Sequence, residues 1–281
     1  MALMDEIDRI HKPDRRRFLA EILPARKPVI LTGLIESWPA LAKWTPGYFE
    51  RIGAHKTVRI EYGNVLQETP RYSEWDLGKY MRHLREGGGA EGNVAVAEGL
   101  PYLAYFDLFA AFPELRADVD FSYWRGRLKF PVGWIGPAGS YTGLHYDIAD
   151  NLFSVFHGSK EFTLYPPAQS AWLYPGRKYD IGSVLSEVDA RNPDAARHPL
   201  FSRAMGTKVV VSAGDTLFTP RGWWHDVLGL ETSISVSCFG FGIDDTLLRG
   251  LPGAVKHALH LAGLYRKGNC ACHKQHKPRT P

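Results

Sequence analysis

The pattern of hydrophobic and polar positions changes at about residue 130. Beyond that point, short runs of β-branched and aromatic residues recur between glycine, proline and aspartate turns. The runs fall at residues 130–135, 141–147, 151–156, 161–165, 207–211, 215–219, 224–228 and 232–241. This spacing predicts an all-β barrel or sandwich. The stretch 166–206, which holds proline, asparagine, aspartate and arginine, interrupts the runs, and we interpret it as an insert between the two halves of the barrel.

The first 130 residues predict a mixture of helices and strands. A polar helix is expected within residues 1–22, and strands at residues 28–34, 57–62 and 93–97. Further helices are expected from Thr45-Pro46, from Ser73 to about Leu84, and over residues 104–112. Thr45 supplies an N-cap hydroxyl before a proline, and Ser73 with Asp76 resembles a capping box. After the barrel, residues 244–266 predict a pair of helices around Pro252.

Composition and length are typical of one folded domain. Of the 281 residues, 44% are hydrophobic and 23% are charged, which favours a large buried core over disorder. We therefore expect a single folded domain over residues 1–266, with a barrel core at about 128–242, followed by a flexible basic tail at 267–281. The formal charge of +4 arises at that end, because Arg266 to Pro281 hold five basic residues and no acidic one. A basic face for nucleic acid is not evident in the rest, so a nucleic-acid partner is not expected.

Cysteine usage and the N-terminus bear on the compartment. Cys238 lies in an apolar run and is expected to be a buried thiol, while Cys270 and Cys272 lie in the tail, so no disulfide framework is predicted. The N-terminus lacks the apolar core of a signal peptide, and no apolar stretch is as long as a membrane span. We expect a cytoplasmic protein with no membrane partner. The tail cluster of Cys270, Cys272, His273 and His276 has unusual spacing for zinc, and incidental thiols are the favoured interpretation.

The tripeptide His145-Tyr146-Asp147 is the first candidate for chemistry. On a strand, residues i and i+2 point to the same face, so His145 and Asp147 can reach one metal ion. One imidazole nitrogen and one carboxylate oxygen suit Fe(II). Taken alone, the tripeptide is a weak signal, and a chance pair on a surface strand is the favoured interpretation.

The surrounding spacing strengthens the metal interpretation. Residues 139–158 read G-x5-H-x-D-x3-N-x6-G, and residues 214–225 read G-x5-P-x-G-x2-H. These stretches resemble the two motifs of the cupin superfamily, in which the second motif brings a histidine, here His225, onto a partner strand. Metal-binding cupins usually use His-x-His followed by a glutamate, whereas this chain has Asp147 and Asn151 at those positions. Because asparagine is a poor iron ligand, the departure favours a facial triad of His145, Asp147 and His225 as the metal ligands and catalytic residues.

The chain from about residue 25 to residue 242 is similar to the JmjC-type (cupin-like) oxygenases that depend on Fe(II) and 2-oxoglutarate. The likeness is carried by the stretch Gly133–Pro167, by Tyr102-Leu-Ala-Tyr-Phe-Asp-Leu-Phe upstream and by Pro220-Arg-Gly-Trp-Trp-His225 downstream. It is strongest to the small JmjC hydroxylases, a group with protein hydroxylases and a tRNA-base hydroxylase. The resemblance implies a mainly β double-stranded β-helix (jelly roll), with α/β decoration at the N-terminal side and helices at the C-terminal side.

The resemblance also implies a site for 2-oxoglutarate as co-substrate beside Fe(II). Lys160, fifteen residues after the first histidine, matches the lysine that pairs with the distal carboxylate, with help from a hydroxyl that matches Thr142 and a tyrosine that matches Tyr102. Asn151 and Ser237 match further contacts to the co-substrate, and Trp134 matches a tryptophan assigned here to substrate binding. The alternative for Lys160 is a solvated hairpin lysine beside Glu161. For Trp223, Trp224 and Phe153, core packing is favoured over substrate stacking.

These residues predict a 2-oxoglutarate-dependent dioxygenase that hydroxylates a side chain of a protein or peptide. Two alternatives remain open: an oxygenase of a small metabolite or tRNA base, and a non-enzymatic metal-binding cupin. Histone demethylation is disfavoured, because such enzymes usually join the catalytic core to further domains. A homodimer through the C-terminal helices is also predicted, because His257, Leu259, Leu261 and Leu264 give them more apolar character than the barrel needs.

Overall fold

The computed structural model describes residues 6–63, 71–87, 99–124, 126–242, 251–266 and 268–270. The first strands are β1 (Arg9–His11), β2 (Val29–Thr32), β3 (Thr57–Tyr62), β4 (Arg71–Asp76) and β5 (Pro101–Phe106). The barrel strands are β6 (Leu128–Gly136), β7 (Tyr141–Asp147), β8 (Asp150–His157), β9 (Ser159–Tyr165), β10 (Ser183–Leu185), β11 (Thr207–Ser212), β12 (Asp215–Thr219), β13 (Trp224–Gly229) and β14 (Ser233–Phe241). The strand expected at 93–97 lies outside the described residues.

Within the described ranges the strands form two facing sheets. The larger has the order β1-β2-β12-β8-β14-β6-β5-β3-β4, and the smaller has the order β10-β7-β13-β9-β11. Every barrel pairing, such as β14 with β6 and β13 with β7, is antiparallel. Consecutive strands from β6 to β9 alternate between the sheets, which is the topology of a double-stranded β-helix. The predicted jelly roll is confirmed, with each predicted run from residue 130 onward matched by a strand.

The period-two alternation of each strand separates an inner face from an outer face. Inward side chains from both sheets, including Phe153, Phe162, Val211 and Leu217, pack together as the barrel core. Residues one position away, such as Leu152 and Phe218, pack outside against the N-terminal helix. The polar side chains of the inner face therefore lie beside this apolar core.

The helices lie mainly on the N-terminal side. A first helical segment, α1, runs through Arg15–Arg17, a π-helical turn at Phe18–Ile22 and Leu23–Ala25. It is followed by α2 (Pro39–Lys43), α3 (Pro46–Ile52), α4 (Leu77–Arg85) and α5 (Leu108–Ala111), with α6 (Leu251–Leu261) after the barrel. Short 3-10 turns lie at Pro113–Asp118, Ser122–Trp124, Pro167–Trp172 and Pro199–Arg203. No helix in the described ranges is long and apolar enough to cross a membrane.

Several predicted boundaries were wrong for identifiable reasons. The helix expected from Ser73 begins at Leu77, because Asp76 is the N-cap that accepts from the Lys79 N–H, and Ser73 lies in β4. The helix expected at 104–112 is divided between β5 and α5, since Asp107 caps a new helix by accepting from Ala110. The expected N-terminal helix begins only at Arg15, after Asp14, and the residues before it form β1.

The insert and the described C-terminal residues both contact the barrel region. The insert contributes β10, which pairs with β7, and its Leu173 packs on Leu144 and Trp224 outside the smaller sheet. At the other end, the Tyr179 N–H donates to the carbonyl of Asn269 at 2.9 Å, and Cys270 is 9% exposed. The described residues 268–270 therefore lie against the insert, and the domain boundary expected at residue 266 stays a prediction. Residues 243–250 and 271–281 lie outside the described residues.

Candidate metal centre

The two histidines of the predicted triad stand directly opposite each other on neighbouring strands. In the antiparallel pairing of β13 with β7, His225 is the partner of His145, and their ring centroids are 4.3 Å apart. Asp147 lies two residues along β7, so its carboxylate emerges on the same inner face. Strand pairing therefore brings together ligands that are 80 residues apart in the sequence.

The ligand atoms are close enough to share one ion. The Asp147 carboxylate oxygens lie 3.8 Å from His145 Nε2 and 3.7 Å from His225 Nε2, and one atom of each residue lies within 4.8 Å of the others. All three residues are buried, at 8%, 8% and 4% exposure. In the part of the chain that the structure describes, this is the one group of histidine, cysteine and acidic side chains placed in this way.

Backbone carbonyls determine which ring nitrogen of each histidine can bind a metal. His145 Nδ1 lies 2.7 Å from the carbonyl oxygen of Gly143, and His225 Nδ1 lies 3.1 Å from that of Trp223. A carbonyl can only accept a hydrogen bond, so each Nδ1 carries the proton and each Nε2 keeps its lone pair. Hydrogen bonds of this kind orient metal-ligating histidines. The donor set thus fits a divalent transition metal with two nitrogen ligands and one oxygen ligand.

Burial shifts the pKa values of the ligands in opposite directions. It lowers the pKa of His225 to about 3, with the neighbouring His145 adding to the effect. It raises the pKa of Asp147 to about 6, partly opposed by His145. Without an ion, burial therefore disfavours charge on both groups. A bound divalent cation would favour the ionised form of the Asp147 carboxylate, and it would bind the neutral His225 imidazole without a change in protonation.

Lys160 is the most unusual buried side chain on the inner face. It is 1% exposed, and its ammonium donates to the Tyr102 hydroxyl at 3.1 Å. Among the described residues no carboxylate lies within ion-pair distance of it, and burial alone lowers its pKa to about 7. The alternative of a solvated hairpin lysine is wrong, because Lys160 points into the barrel while Glu161 pairs outside with Lys208. A buried ammonium without an anion is costly, so the position suits an anionic ligand.

A β-bulge turns Thr142 toward the same interior. The pairing of β7 with β13 shifts register between His225 and Val227, so that Val227 is opposite Thr142 while His225 is opposite His145. Residues three apart on β7 therefore face inward together, which regular alternation would forbid. Thr142 hydrogen-bonds to the Tyr102 hydroxyl, which joins it to Lys160.

The remaining predicted residues form a second polar group. Trp134 Nε1 donates to Ser237 Oγ at 3.0 Å, and Asn151 Nδ2 donates to the same oxygen at 3.2 Å. Trp134 also contacts the Tyr102 ring, with centroids 6.2 Å apart. All nine predicted site residues thus lie on the inner face of the barrel, and the roles assigned to Tyr102, Thr142, Asn151, Lys160, Ser237 and Trp134 stay predictions. Trp223, Trp224 and Phe153 are buried in apolar clusters, as the packing interpretation requires.

Two residues near this site were missed by sequence reasoning. Glu61 is the cross-strand partner of Tyr102, and burial raises its pKa to about 7, with Arg59 opposing the shift. Tyr105 packs edge-on against Trp134 with centroids 5.9 Å apart, is 59% exposed and has a φ of 49°. That backbone conformation is uncommon for a residue other than glycine and often marks a functional position. In the sequence, Glu61 resembled the solvent face of an alternating strand, and Tyr105 fell in a predicted helix.

Comparison with known proteins agrees with this geometry. The family model described as a cupin-like domain matches residues 15–239. The chain is 32% identical over 240 residues to lysine-specific demethylase 8 of Xenopus tropicalis, covering 82% of this chain and 52% of the relative. It is 30% identical to Jumonji C domain-containing protein 5 of Drosophila melanogaster, covering 83% and 59%. It is 29% identical to human tRNA wybutosine-synthesizing protein 5, covering 83% and 77%.

The chain spans only 52% and 59% of the length of the Xenopus and Drosophila relatives, so the similarity concerns one region of them. Residues 15–239, which the family model matches, hold all three candidate metal ligands. The match to the cupin-like model extends over most of the described residues, from α1 into β14. The chain therefore belongs to the cupin-like family, among its JmjC-type oxygenases.

Proposed function

We propose that this protein is an Fe(II)- and 2-oxoglutarate-dependent hydroxylase that acts on a side chain of a protein or peptide. The observation that carries the proposal is Lys160, a fully buried ammonium on the same inner face as the His145, Asp147 and His225 triad. A ligand that satisfies both needs one end that chelates a metal and another that carries a negative charge. A 2-oxo dicarboxylate has both.

The chain's own groups would bind and orient this co-substrate. Lys160, with the hydroxyls of Tyr102 and Thr142, would hold the distal carboxylate through charge-assisted hydrogen bonds. The triad would leave one side of the metal free for the chelating end and for dioxygen. When bound there, Fe(II) with 2-oxoglutarate and dioxygen would supply the oxidant: the co-substrate would lose carbon dioxide to become succinate, with one oxygen atom entering succinate and the other inserted into the substrate C–H bond. The buried inner face would keep bulk water away from the reaction.

The surroundings of the site favour a cationic side chain as the substrate group. Glu61 is half-buried beside Tyr102, and Tyr105 and Trp134 present aromatic surface next to it. An acid and two aromatic rings suit the charge and the stem of a lysine or arginine. One relative is named as a lysine-specific demethylase, which is in keeping with a basic residue as the target.

A tRNA base is the second candidate. It is supported by the relative named for wybutosine synthesis, of which this chain covers 77%. Aromatic side chains such as Tyr105 and Trp134 could stack on a base as well as on a cation. A small metabolite and a non-enzymatic cupin are the remaining alternatives, and the same assay separates all of them.

The test compares the oxidation of three pools of candidate substrates under identical conditions. The protein would be incubated with Fe(II), 2-oxoglutarate and air, together with a tryptic digest, bulk tRNA or a metabolite extract. We expect succinate release to increase with the peptide pool, accompanied by a mass gain of one oxygen on peptides that hold an internal lysine or arginine. An oxygen gain confined to tRNA nucleosides or metabolites would overturn the choice of substrate. Absence of succinate in every pool would overturn the enzymatic proposal.

Glu61→Gln is the matched variant for the substrate class. Because cation binding requires the ionised acid and burial raises the pKa of Glu61 to about 7, wild-type affinity for a basic peptide should increase as pH rises through that value. The glutamine variant should bind the peptide about tenfold more weakly and lose this pH dependence. Affinity for 2-oxoglutarate serves as the internal control and should change little.

We also propose that α6 and the turn after it mediate a homodimer. Val255, Leu259, Leu261 and Leu264 are 56%, 40%, 63% and 77% exposed on a short segment, which is unusual for a solvated surface. Light scattering should give twice the chain mass, and Leu261→Glu with Leu264→Glu should give a monomer that still melts cooperatively. A wild-type chain that is monomeric at high micromolar concentration would contradict the proposal.

A further inference from the structure

Two polar atoms on the inner face of the barrel are buried without a hydrogen-bond partner. They are Asn151 Oδ1 and Thr219 Oγ1, whose residues are 5% and 3% exposed. The two residues are direct partners in the pairing of β12 with β8. Buried polar groups are almost always paired in folded proteins, because an unpaired one loses its bond to water and gains nothing in return. Two such atoms side by side therefore indicate a place for a polar ligand.

Strand alternation establishes which way Thr219 points. Two residues earlier on β12, Leu217 packs with its partner Phe153 in the barrel core, so Thr219 faces inward as well. The intervening Phe218 packs outside, against the N-terminal helix. Thr216 also faces outside, where its hydroxyl is bonded to Ser154 at 2.8 Å. Of these two buried threonines on one strand, only the outward one has its hydroxyl paired.

Thr219 lies at the end of the barrel that holds the triad. Three residues after it, the Gly222 N–H donates to the carbonyl of Asp147 at 3.0 Å, which joins the end of β12 to the end of β7. Three residues after Gly222 comes His225. The unpaired hydroxyl thus lies on the last strand residue before the turn that leads to His225. Lys160 lies farther away, opposite Gly229, which is four residues after His225 on β13.

If the Asn151 side-chain amide is rotated by half a turn, its Nδ2 can donate a hydrogen bond to the same polar ligand. In the present orientation, Ser237 Oγ accepts hydrogen bonds from both Trp134 Nε1 and Asn151 Nδ2. Among the described residues, no group accepts a hydrogen bond from the Ser237 hydroxyl. After the half-turn, the Ser237 hydroxyl donates to Asn151 Oδ1 and keeps the bond from Trp134. Asn151 Nδ2 then replaces the unpaired oxygen, and the inner face presents two donors in place of a donor and an acceptor.

We propose that Thr219, together with Asn151, binds the carboxylate at the metal-chelating end of the 2-oxo acid. The Thr219 hydroxyl and the Asn151 amide would each donate one hydrogen bond to it, while Lys160 holds the opposite end. Thr219 is thus a positioning residue that selects a carboxylate next to the keto group and sets how the co-substrate lies on the metal. The inference rests on the proposed function, since it requires a 2-oxo acid at the triad.

Stability measurements without ligand form the first arm of the test. Thr219→Val keeps the shape and removes only a hydroxyl that has no partner, so the melting temperature should stay unchanged or rise. The matched control, Thr216→Val, breaks the bond to Ser154 on the outer face and should melt at a lower temperature. If Thr219→Val melts as low as the control, the hydroxyl is paired in solution, for example by a structural water, and the inference fails.

Binding measurements form the second arm. Under anaerobic conditions with Fe(II), formation of the 2-oxo acid chelate is followed by its visible charge-transfer absorption. Thr219→Val should weaken the binding of 2-oxoglutarate about tenfold, the amount expected for loss of one hydrogen bond to a charged group. Thr216→Val should bind 2-oxoglutarate with the affinity of the wild type. The second probe is pyruvate, which has the chelating end but no distal carboxylate. Thr219→Val should weaken it by the same factor, and Lys160→Met should not.

The outcomes separate this inference from the function on which it rests. If wild-type protein gives no chelate absorption, the proposed function fails. If wild type binds and Thr219→Val binds equally well, the function stands and the role of Thr219 is wrong. Thr219→Ser keeps the hydroxyl and should restore the affinity, which covers the case in which the valine variant misfolds. A serine variant that folds but binds as weakly as Thr219→Val would assign the effect to packing and overturn the inference.

Discussion

Replacing Asp147 with asparagine is expected to abolish 2-oxoglutarate turnover while leaving the protein folded. The change removes the one anionic ligand of the triad and keeps the size of the side chain. Substitution of residues that only hydrogen-bond to metal ligands already reduces metal affinity or activity by about 10- to 100-fold. Loss of a direct ligand should therefore reduce turnover to below about 1% of wild type. Burial raises the pKa of Asp147 to about 6, which indicates that its charge is unfavourable in the metal-free protein. The melting temperature without metal should therefore not fall.

Asp226→Asn is the matched control. Asp226 follows His225 directly but points to the opposite face of β13, where it accepts a hydrogen bond from Thr163 at 3.2 Å. An asparagine oxygen can accept the same bond. This variant should bind one Fe(II) and turn over 2-oxoglutarate like wild type. Iron titration and succinate release measure both variants, and an Asp147→Asn protein that still binds one Fe(II) tightly with normal turnover would eliminate the triad.

The parts of the fold that sequence could predict are those governed by local alternation. In the barrel, each strand buries at least one face, so turns and period-two runs determine the boundaries. His145 and Asp147 followed from the same rule, because residues two apart on a strand share a face whatever the strand pairs with. His225 followed only with the cupin spacing, since its approach to His145 depends on pairing between distant segments.

Positions that depend on irregular or long-range structure could not be predicted from the residues alone. Thr142 and His145 face the same way only because of a bulge, and regular alternation would have placed them on opposite faces. Thr219 gains its significance from its pairing with Asn151, which no local pattern records. The segment 101–106 was assigned to a helix in part, because its aromatic run carries no strand alternation and its register against β6 is itself irregular.

Replacing Lys160 with methionine is expected to raise the apparent KM for 2-oxoglutarate by about 100-fold and to change kcat less. Methionine keeps the apolar stem and removes the charge that would pair with the distal carboxylate. Hydrogen bonds to charged groups contribute about 1.5–3 kcal/mol, and this carboxylate would lose its only buried cation among the described residues. Pyruvate, which lacks that carboxylate, should bind both proteins alike. An unchanged KM would mean that another cation, such as Arg221, holds the co-substrate.

The same substitution should have a pH signature that a structural role would not produce. Burial lowers the pKa of Lys160 to about 7, so in the free protein at pH 8 most molecules hold Lys160 as the neutral amine. A bound carboxylate favours the ammonium, and 2-oxoglutarate binding at pH 8 should therefore take up close to one proton, whereas binding at pH 6 should take up almost none. Calorimetry in two buffers of different ionisation enthalpy measures this uptake. Lys160→Met should abolish the difference between the two pH values.

Stability of the free protein gives the third readout for Lys160. A lysine whose pKa is lower in the folded state than in the unfolded state destabilises the fold. The full destabilisation is present below the folded pKa of about 7. It decreases as pH rises toward the unfolded value of about 10.4. Lys160→Met should thus raise the melting temperature, and by more at pH 7 than at pH 10. The wild-type protein should recover the difference when 2-oxoglutarate and metal are added, because the ligand then pairs the charge. A methionine variant that is less stable than wild type at pH 7 would show that the ammonium is already paired in the free protein, and the anion site would have to be sought elsewhere.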